Sequence, residues 1–266
     1  MSIATLTITR NCLVFLLLLS SFNVICLAVD FPLRDKYPNV PVYSAAQLKQ
    51  DFSKVIIIDV RTKFEYSVVR MNGAKHISVA KMTFVEQLKV VRTRKSNKKI
   101  IFYCNGNTCS KSYTAVTKAK KAGFNNVYAY DAGIFAWVKQ YPELASLLGQ
   151  SPVHQFAIIK KKTLQAKLLD FRQFQQAASI SNSLVIDIRD PRQRKLSIGL
   201  VDTKIPLDKL TNFLKRGTWK NRDLLIYDNV GRQVTWLQYL LMAHGYTRYH
   251  FLEKGARGTV SAPLIN

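Results

Sequence analysis

The chain repeats itself once, and that repetition limits the folds open to it. Val55-Ile56-Ile57-Ile58-Asp59-Val60-Arg61 is echoed by Ser183-Leu184-Val185-Ile186-Asp187-Ile188-Arg189, so that Asp59 pairs with Asp187 and Arg61 with Arg189 at an offset of 128. His76-Ile77-Ser78 aligns with Lys204-Ile205-Pro206 at the same offset, Tyr103-Cys104 with Tyr227-Asp228 at 124, and Gly123 and Gly133 with Gly245 and Gly255 at 122. Solenoid arrays repeat every ~20–50 residues, a much shorter period. The pattern therefore predicts two homologous domains, over 40–149 and 168–262. The stretch 150–167, with Pro152 and the run Lys160-Lys161-Lys162, reads as the linker.

Each half alternates short apolar runs with helical patterns. Val55–Ile58, Lys99–Tyr103 and Asn126–Tyr130 are β-branched or aromatic runs of buried-strand length. Thr83–Val91 and Lys111–Ala122 carry apolar residues at helical spacing, and Gly123 is placed to cap the second of these helices. The alternation predicts α/β domains, each a mainly parallel sheet flanked by helices. Ligands of such sheets bind beyond the carboxyl ends of the strands, which directs attention to the loop after Tyr103.

Charge and cysteine usage narrow the chemistry. Forty Lys and Arg against sixteen Asp and Glu leave a net charge of +24, which favours anionic ligands or surfaces. It argues against a carboxylate-rich Ca²⁺ or Mg²⁺ site, and four Cys with four His assemble no zinc-finger or zinc-ribbon spacing. Arg10, the apolar run Cys12–Ser20, and Cys26 and Ala28 ahead of Val29 predict a secretory signal peptide over 1–28. The expected destination is the periplasm, with secretion or a retained membrane anchor as alternatives. Cleavage leaves two cysteines, Cys104 and Cys109, too close together to frame a large domain. Their purpose reads as chemical.

Both lie in the loop Cys104-Asn105-Gly106-Asn107-Thr108-Cys109-Ser110, which runs into the helix expected from Lys111. Small and turn-forming residues let the N–H groups of Asn105 to Ser110 converge on one point, and the helix N-terminus adds its positive end there. A thiol in such a cradle ionises more readily. Cys104 is the expected nucleophile. Cys109 reads either as a thiol that resolves an adduct on Cys104 or as an ordinary loop residue. Asp59 and Arg61 recur in the second half and are read as structural support for the loops. The basic run over residues 89–99 holds six cations in eleven positions, a solvated surface or a contact for an acidic protein or a membrane surface. Nothing interleaves aromatics with basic residues as nucleic-acid binders do, so no nucleic acid is expected.

These residues together resemble the rhodanese family in a tandem arrangement. The resemblance rests on Ile58-Asp59-Val60-Arg61 with Glu65-Tyr66, on Gly73-Ala74-Lys75-His76-Ile77, on Phe102-Tyr103-Cys104 with its loop, and on Gly133 followed by Trp137. The Cys-x₄-Cys loop is similar to a bacterial subgroup that usually carries Trp where Ser110 stands. The resemblance implies a sulfurtransferase: Cys104 takes sulfane sulfur from a small anionic donor, becomes a persulfide, and yields the sulfur to a thiol or protein acceptor. It implies no metal and no organic cofactor. The loop is neutral until Lys111, unlike many thiosulfate-using relatives, and Asp228 replaces the nucleophile in the second half, which reads as catalytically dead. Two other classes stay open, a thiol–disulfide protein using Cys104 with Cys109, and a non-catalytic binding module. A Cys-x₅-Arg phosphatase is excluded, because Ser110 stands where the Arg should be.

Overall fold

A computed structural model describes residues 30–92 and 97–259. The leader expected over 1–28 lies outside the described residues, as do residues 93–96 of the basic run. In chain order the first half contains α1 (Ala45–Gln50), β1 (Ile56–Asp59), α2 (Lys63–Val68), β2 (Val69–Met71), β3 (Lys75–His76), α3 (Phe84–Val91), β4 (Ile100–Tyr103), α4 (Lys111–Lys121), β5 (Val127–Tyr130), α5 (Gly133–Gln140) and β6 (Ala145–Leu147). The second contains α6 (Lys161–Gln165), β7 (Leu168–Leu169), α7 (Phe171–Ala178), β8 (Ser183–Asp187), β9 (Thr203–Lys204), α8 (Leu207–Lys215), β10 (Asp223–Tyr227), α9 (Val234–Ala243), β11 (Tyr249–Leu252) and α10 (Gly255–Gly258).

The fold is α/β. One parallel sheet has the order β3-β1-β4-β5, and residues 41–43 extend its β5 edge through a parallel bridge between Val42 and Ala129. The other has the order β7-β11-β10-β8-β9 and is parallel throughout. The strand orders correspond position by position. So do the registers: Asp59 stands opposite Tyr103 and His76, and Asp187 opposite Tyr227 and Lys204. All four residues of β4 are buried, as a strand covered by helices on both faces requires. A separate antiparallel pair, β2 with β6, lies outside both sheets.

Local signals set the element boundaries. Ser44 with Gln47, Thr62 with Glu65, and Asp170 with Gln173 form capping boxes that start α1, α2 and α7. Asn126 adopts a left-handed conformation (φ 54°), so β5 begins one residue later than its apolar run.

The segment read as a linker, 150–167, is packed along its length. It holds α6, and its Ile158 and Ile159 lie against a core cluster shared by the two halves. That cluster joins Trp236 and Tyr239 of α9 to Trp137 and Ile134 of α5. Phe135 stacks on Trp236 at 5.1 Å, and the backbone N–H of Ile159 donates to the Tyr239 hydroxyl. Both halves thus belong to one compact unit that begins at Phe31. The apolar composition of α9 is the reason, since its buried residues serve the second-half core and the shared one alike.

Candidate active site

β4 is the central strand of the first sheet, and its carboxyl end delivers Cys104 into a loop closed by α4 on one side and α5 on the other. The backbone N–H of Ile134 donates to the Cys104 carbonyl at 3.0 Å, which holds the start of α5 against the loop. Gly133 makes this approach feasible. Its φ is +75°, and a Cβ there would stand 2.3 Å from the Gly106 nitrogen.

A network of charges fixes the loop from below. The buried Arg61 guanidinium donates through Nε to Asp59 Oδ1 at 2.9 Å and through Nη2 to Asp59 Oδ2 at 2.6 Å. Its Nη1 reaches Asn105 Oδ1 at 3.3 Å. Asn105 Nδ2 in turn donates to Glu65 Oε1 at 2.7 Å, and Lys111 Nζ stands 3.8 Å from Glu65 Oε2. Burial opposes the Glu65 charge, but Lys111, Asn105 and Thr62 outweigh it and hold the carboxyl below its usual range. His76 Nε2 lies 3.0 Å from the Arg61 carbonyl.

The expected cradle around Cys104 is divided between two sulfurs. Cys104 is fully buried, and its Sγ donates to the Cys109 carbonyl at 3.1 Å and lies 3.8 Å from Ser112 Oγ. Of the N–H groups expected to converge on Cys104, that of Cys109 is taken by the Gly106 carbonyl at 2.9 Å. Those of Asn105 and Lys111 serve the Cys109 sulfur, and Ser112 supplies the backbone donor to Cys104. The turn from Gly106 to Cys109 is the physical reason, because its closing bond uses the Cys109 N–H that the cradle would have needed. Asn107 is half-buried, whereas Thr108 and Ser110 are exposed. Ser110 precedes α4 without a side-chain capping bond.

The Cys104 thiol lies against Cys109, with its Sγ 3.1 Å from the Cys109 carbonyl oxygen, and each thiol shifts the titration of the other. Burial and the neighbouring sulfur push the Cys104 thiol well up. The hydrogen bond from Cys104 draws Cys109 down to about 6, against the opposing effect of burial and with help from the Asn105 and Lys111 N–H groups and the Lys111 charge.

Cys109, not Cys104, opens onto a cleft of about 620 Å³. The first half contributes Glu65, Asn105, Thr108 and Lys111 to its walls, and the second half contributes Asp228, Arg232 and Trp236. Of these, Asn105 and Thr108 belong to the loop singled out in sequence, and the Thr62-x-x-Glu65 capping pattern is a signal by which Glu65 could have been found. The contribution of the second half had no sequence signal. Its loop after β10 repeats the first loop's position with different contents. The Asp228 carboxylate accepts from the backbone N–H of Val230 at 2.8 Å, of Gln233 at 2.5 Å and of Val234 at 3.3 Å, and also from that of Gly231. An anion cradle is therefore formed here, and Asp228 itself occupies it.

A parallel α/β domain with a thiol at the end of its central strand, set in a strand-to-helix loop rich in N–H donors, is the class this architecture defines. Residues 44–140 match the family model of the rhodanese-like domain. Over 88 residues the chain is 31% identical to a tRNA uridine(34) hydroxylase of Bdellovibrio bacteriovorus, a stretch covering 33% of this chain and 24% of that protein. The chain thus spans about a quarter of the length of that curated relative. Among solved structures it is similar to a thiosulfate sulfurtransferase from Pseudomonas aeruginosa, with 18% identity, coverage of 84% of this chain and 46% of that one, and a TM-score of 0.37. It is also similar to the BH2092 protein of Bacillus halodurans, with 23% identity, coverage of 50% and 94%, and a TM-score of 0.37.

Proposed function

We propose that the protein is a sulfurtransferase that accepts sulfane sulfur from a small anionic donor on the thiol pair after β4 and passes it to a thiol or protein acceptor. The observation that carries this reading is the placement of the pair, Cys104 against the Cys109 carbonyl and Cys109 at the wall of a cleft beside Lys111, where Cys104, the Asn105 and Lys111 N–H groups and the Lys111 charge draw the Cys109 thiol down. A thiolate is the form that attacks sulfane sulfur, and the same donors stabilise the charged persulfide. The rhodanese-like match over residues 44–140 favours the same chemistry. In the sequence reading the persulfide rests on Cys104. The second half is a degenerate copy that closes the cleft, since a carboxylate such as Asp228 carries no sulfane sulfur. Such a protein works outside the cytoplasm, in the periplasm, as the leader pattern over residues 1–28 suggests.

The test is transfer from thiosulfate to cyanide, followed as thiocyanate. Wild-type protein should form thiocyanate, and a Cys104→Ala/Cys109→Ala double variant should form none. Absence of thiocyanate from a reduced wild-type protein with both thiols titratable, with thiosulfate and with an organic persulfide as donors, would overturn the proposal.

A further inference from the structure

Of the two thiols, the one expected to react is not the one that faces the cleft. Cys104 has no exposed surface, and its sulfur is directed at the Cys109 carbonyl and Ser112. Cys109 is half-buried and lines the cleft beside Thr108 and Lys111. Across the cleft stands Arg232, whose guanidinium has no hydrogen-bond or ion-pair partner among the described residues. A dianionic donor in this cleft has Lys111 and Arg232 to pair with and Cys109 in the wall beside Lys111, while Glu65 is tied to Asn105 and Asp228 to its own loop.

We propose that Cys109 is the thiol that attacks the donor and that Cys104 resolves the product, closing a Cys104–Cys109 disulfide and releasing hydrosulfide. The proposal rests on the sulfurtransferase reading and names within it the entering nucleophile and the first acceptor. With thiosulfate as donor, the Cys109 thiolate attacks the outer sulfur, the sulfur–sulfur bond of thiosulfate breaks, and sulfite leaves with the electron pair. The Cys104 thiol then attacks the Cys109 sulfur of the persulfide. The bond to the outer sulfur breaks, and that sulfur departs as hydrosulfide with the electron pair and the Cys104 proton. One thiolate and one thiol enter; a disulfide, sulfite and hydrosulfide result. The outer sulfur has been reduced by the two electrons the cysteines lose. A dithiol reductant restores the pair for the next turnover.

Several features fit this order. Cys104 needs no access to solvent, because its target belongs to the residue it already touches, its Sγ lying 3.1 Å from the Cys109 carbonyl oxygen. The two steps consume one proton, the one that burial favours keeping on Cys104. The Asn105 and Lys111 N–H groups serve Cys109, where the first negative charge is lost to the donor and regained as persulfide. Cyanide or an external thiol that reaches the cleft first takes the sulfur from Cys109 and leaves Cys104 reduced.

Intact mass after brief treatment of the reduced full chain with thiosulfate tests this, with Cys104→Ser and Cys109→Ser in parallel. Wild type should lose about 2 Da and release one equivalent of hydrosulfide. Cys104→Ser should gain about 32 Da, one sulfur atom, mapped to Cys109 by peptide mass. Cys109→Ser should be unchanged. Where the serine variant does not fold, Cys104→Ala serves as the same trap. A 32 Da gain on Cys109→Ser with none on Cys104→Ser would overturn the assignment of nucleophile and leave the sulfurtransferase reading standing. A stable gain on wild type would overturn the resolving step. No change in any of the three proteins would count against both.

Discussion

Arg61 and Asn105 are joined across the base of the reactive loop, with Nη1 3.3 Å from Oδ1, while the same guanidinium is paired to Asp59. The equivalent Arg189 pairs with Asp187 in the same way, but its Nη1 turns to the carbonyls of Gln193 and Leu196 and touches no loop after β10. The ion pair is thus common to both halves, and the tie to the loop belongs to the first. Removing one partner of a buried pair strands a charge and costs about 3–5 kcal/mol. Arg61→Met and Arg189→Met should both lower stability in urea unfolding by about that amount. Under native conditions only Arg61→Met should change the rate at which Cys109 is alkylated.

Asp228 fills a cradle of four backbone N–H groups, so its loss leaves donors without an acceptor. Asp228→Ala should cost about 2–3 kcal/mol. The vacated cradle is an anion site, so millimolar sulfate should raise the Tm of the alanine variant by more than that of wild type. A thermal shift titration reads both effects.

The depressed Cys109 thiol sets a pH dependence. Its titration is drawn from 9.0 down to about 6, so the thiolate is present above pH 6 and is protonated below it. Alkylation by iodoacetamide should rise as pH climbs through about 6 and be level by pH 8. An unperturbed thiol would still be gaining reactivity at pH 9. Cys104→Ser exchanges the thiol donor for a hydroxyl and Lys111→Met removes a cation, and each should move the midpoint upward.

Gly133 is the hinge between α5 and the loop. Alanine there must adopt a positive φ and place its Cβ 2.3 Å from the Gly106 nitrogen, so the loop has to give way. Gly133→Ala should lose at least about 2 kcal/mol and abolish the low alkylation midpoint of Cys109. Gly73→Ala is the control: its φ is also positive, at +72°, but nothing lies within 4 Å. It should cost stability and leave the thiol unaffected.

Much of the fold was legible because the buried strands are nearly pure β-branched runs. Val55–Ile58 and Lys99–Tyr103 give β1 and β4 to within a residue, and the loop after Tyr103 follows from where parallel sheets place their ligands. The antiparallel β2–β6 pair was not legible, since Val69–Met71 continues directly from α2 with no turn residue between them. At the site, sequence marks the two cysteines but not which sulfur faces the cleft. The loop contains a turn closed by the Cys109 N–H on the Gly106 carbonyl, which residue types alone do not specify. Sequence also marks Asp228 as unable to carry sulfur, without showing that its carboxylate fills the cradle. Arg232 and Trp236 reach the cleft only because α9 packs on α2 and α5, a contact between residues over 90 positions apart.

The central claim is that sulfane sulfur leaves an anionic donor for the thiol pair after β4. Sulfite released in a single turnover measures that directly, whichever cysteine reacts first and whatever follows. Reduced wild-type protein mixed with thiosulfate should release one sulfite per chain, and the Cys104→Ala/Cys109→Ala variant none. Release that is absent in wild type, or equal in the two proteins, would contradict the account.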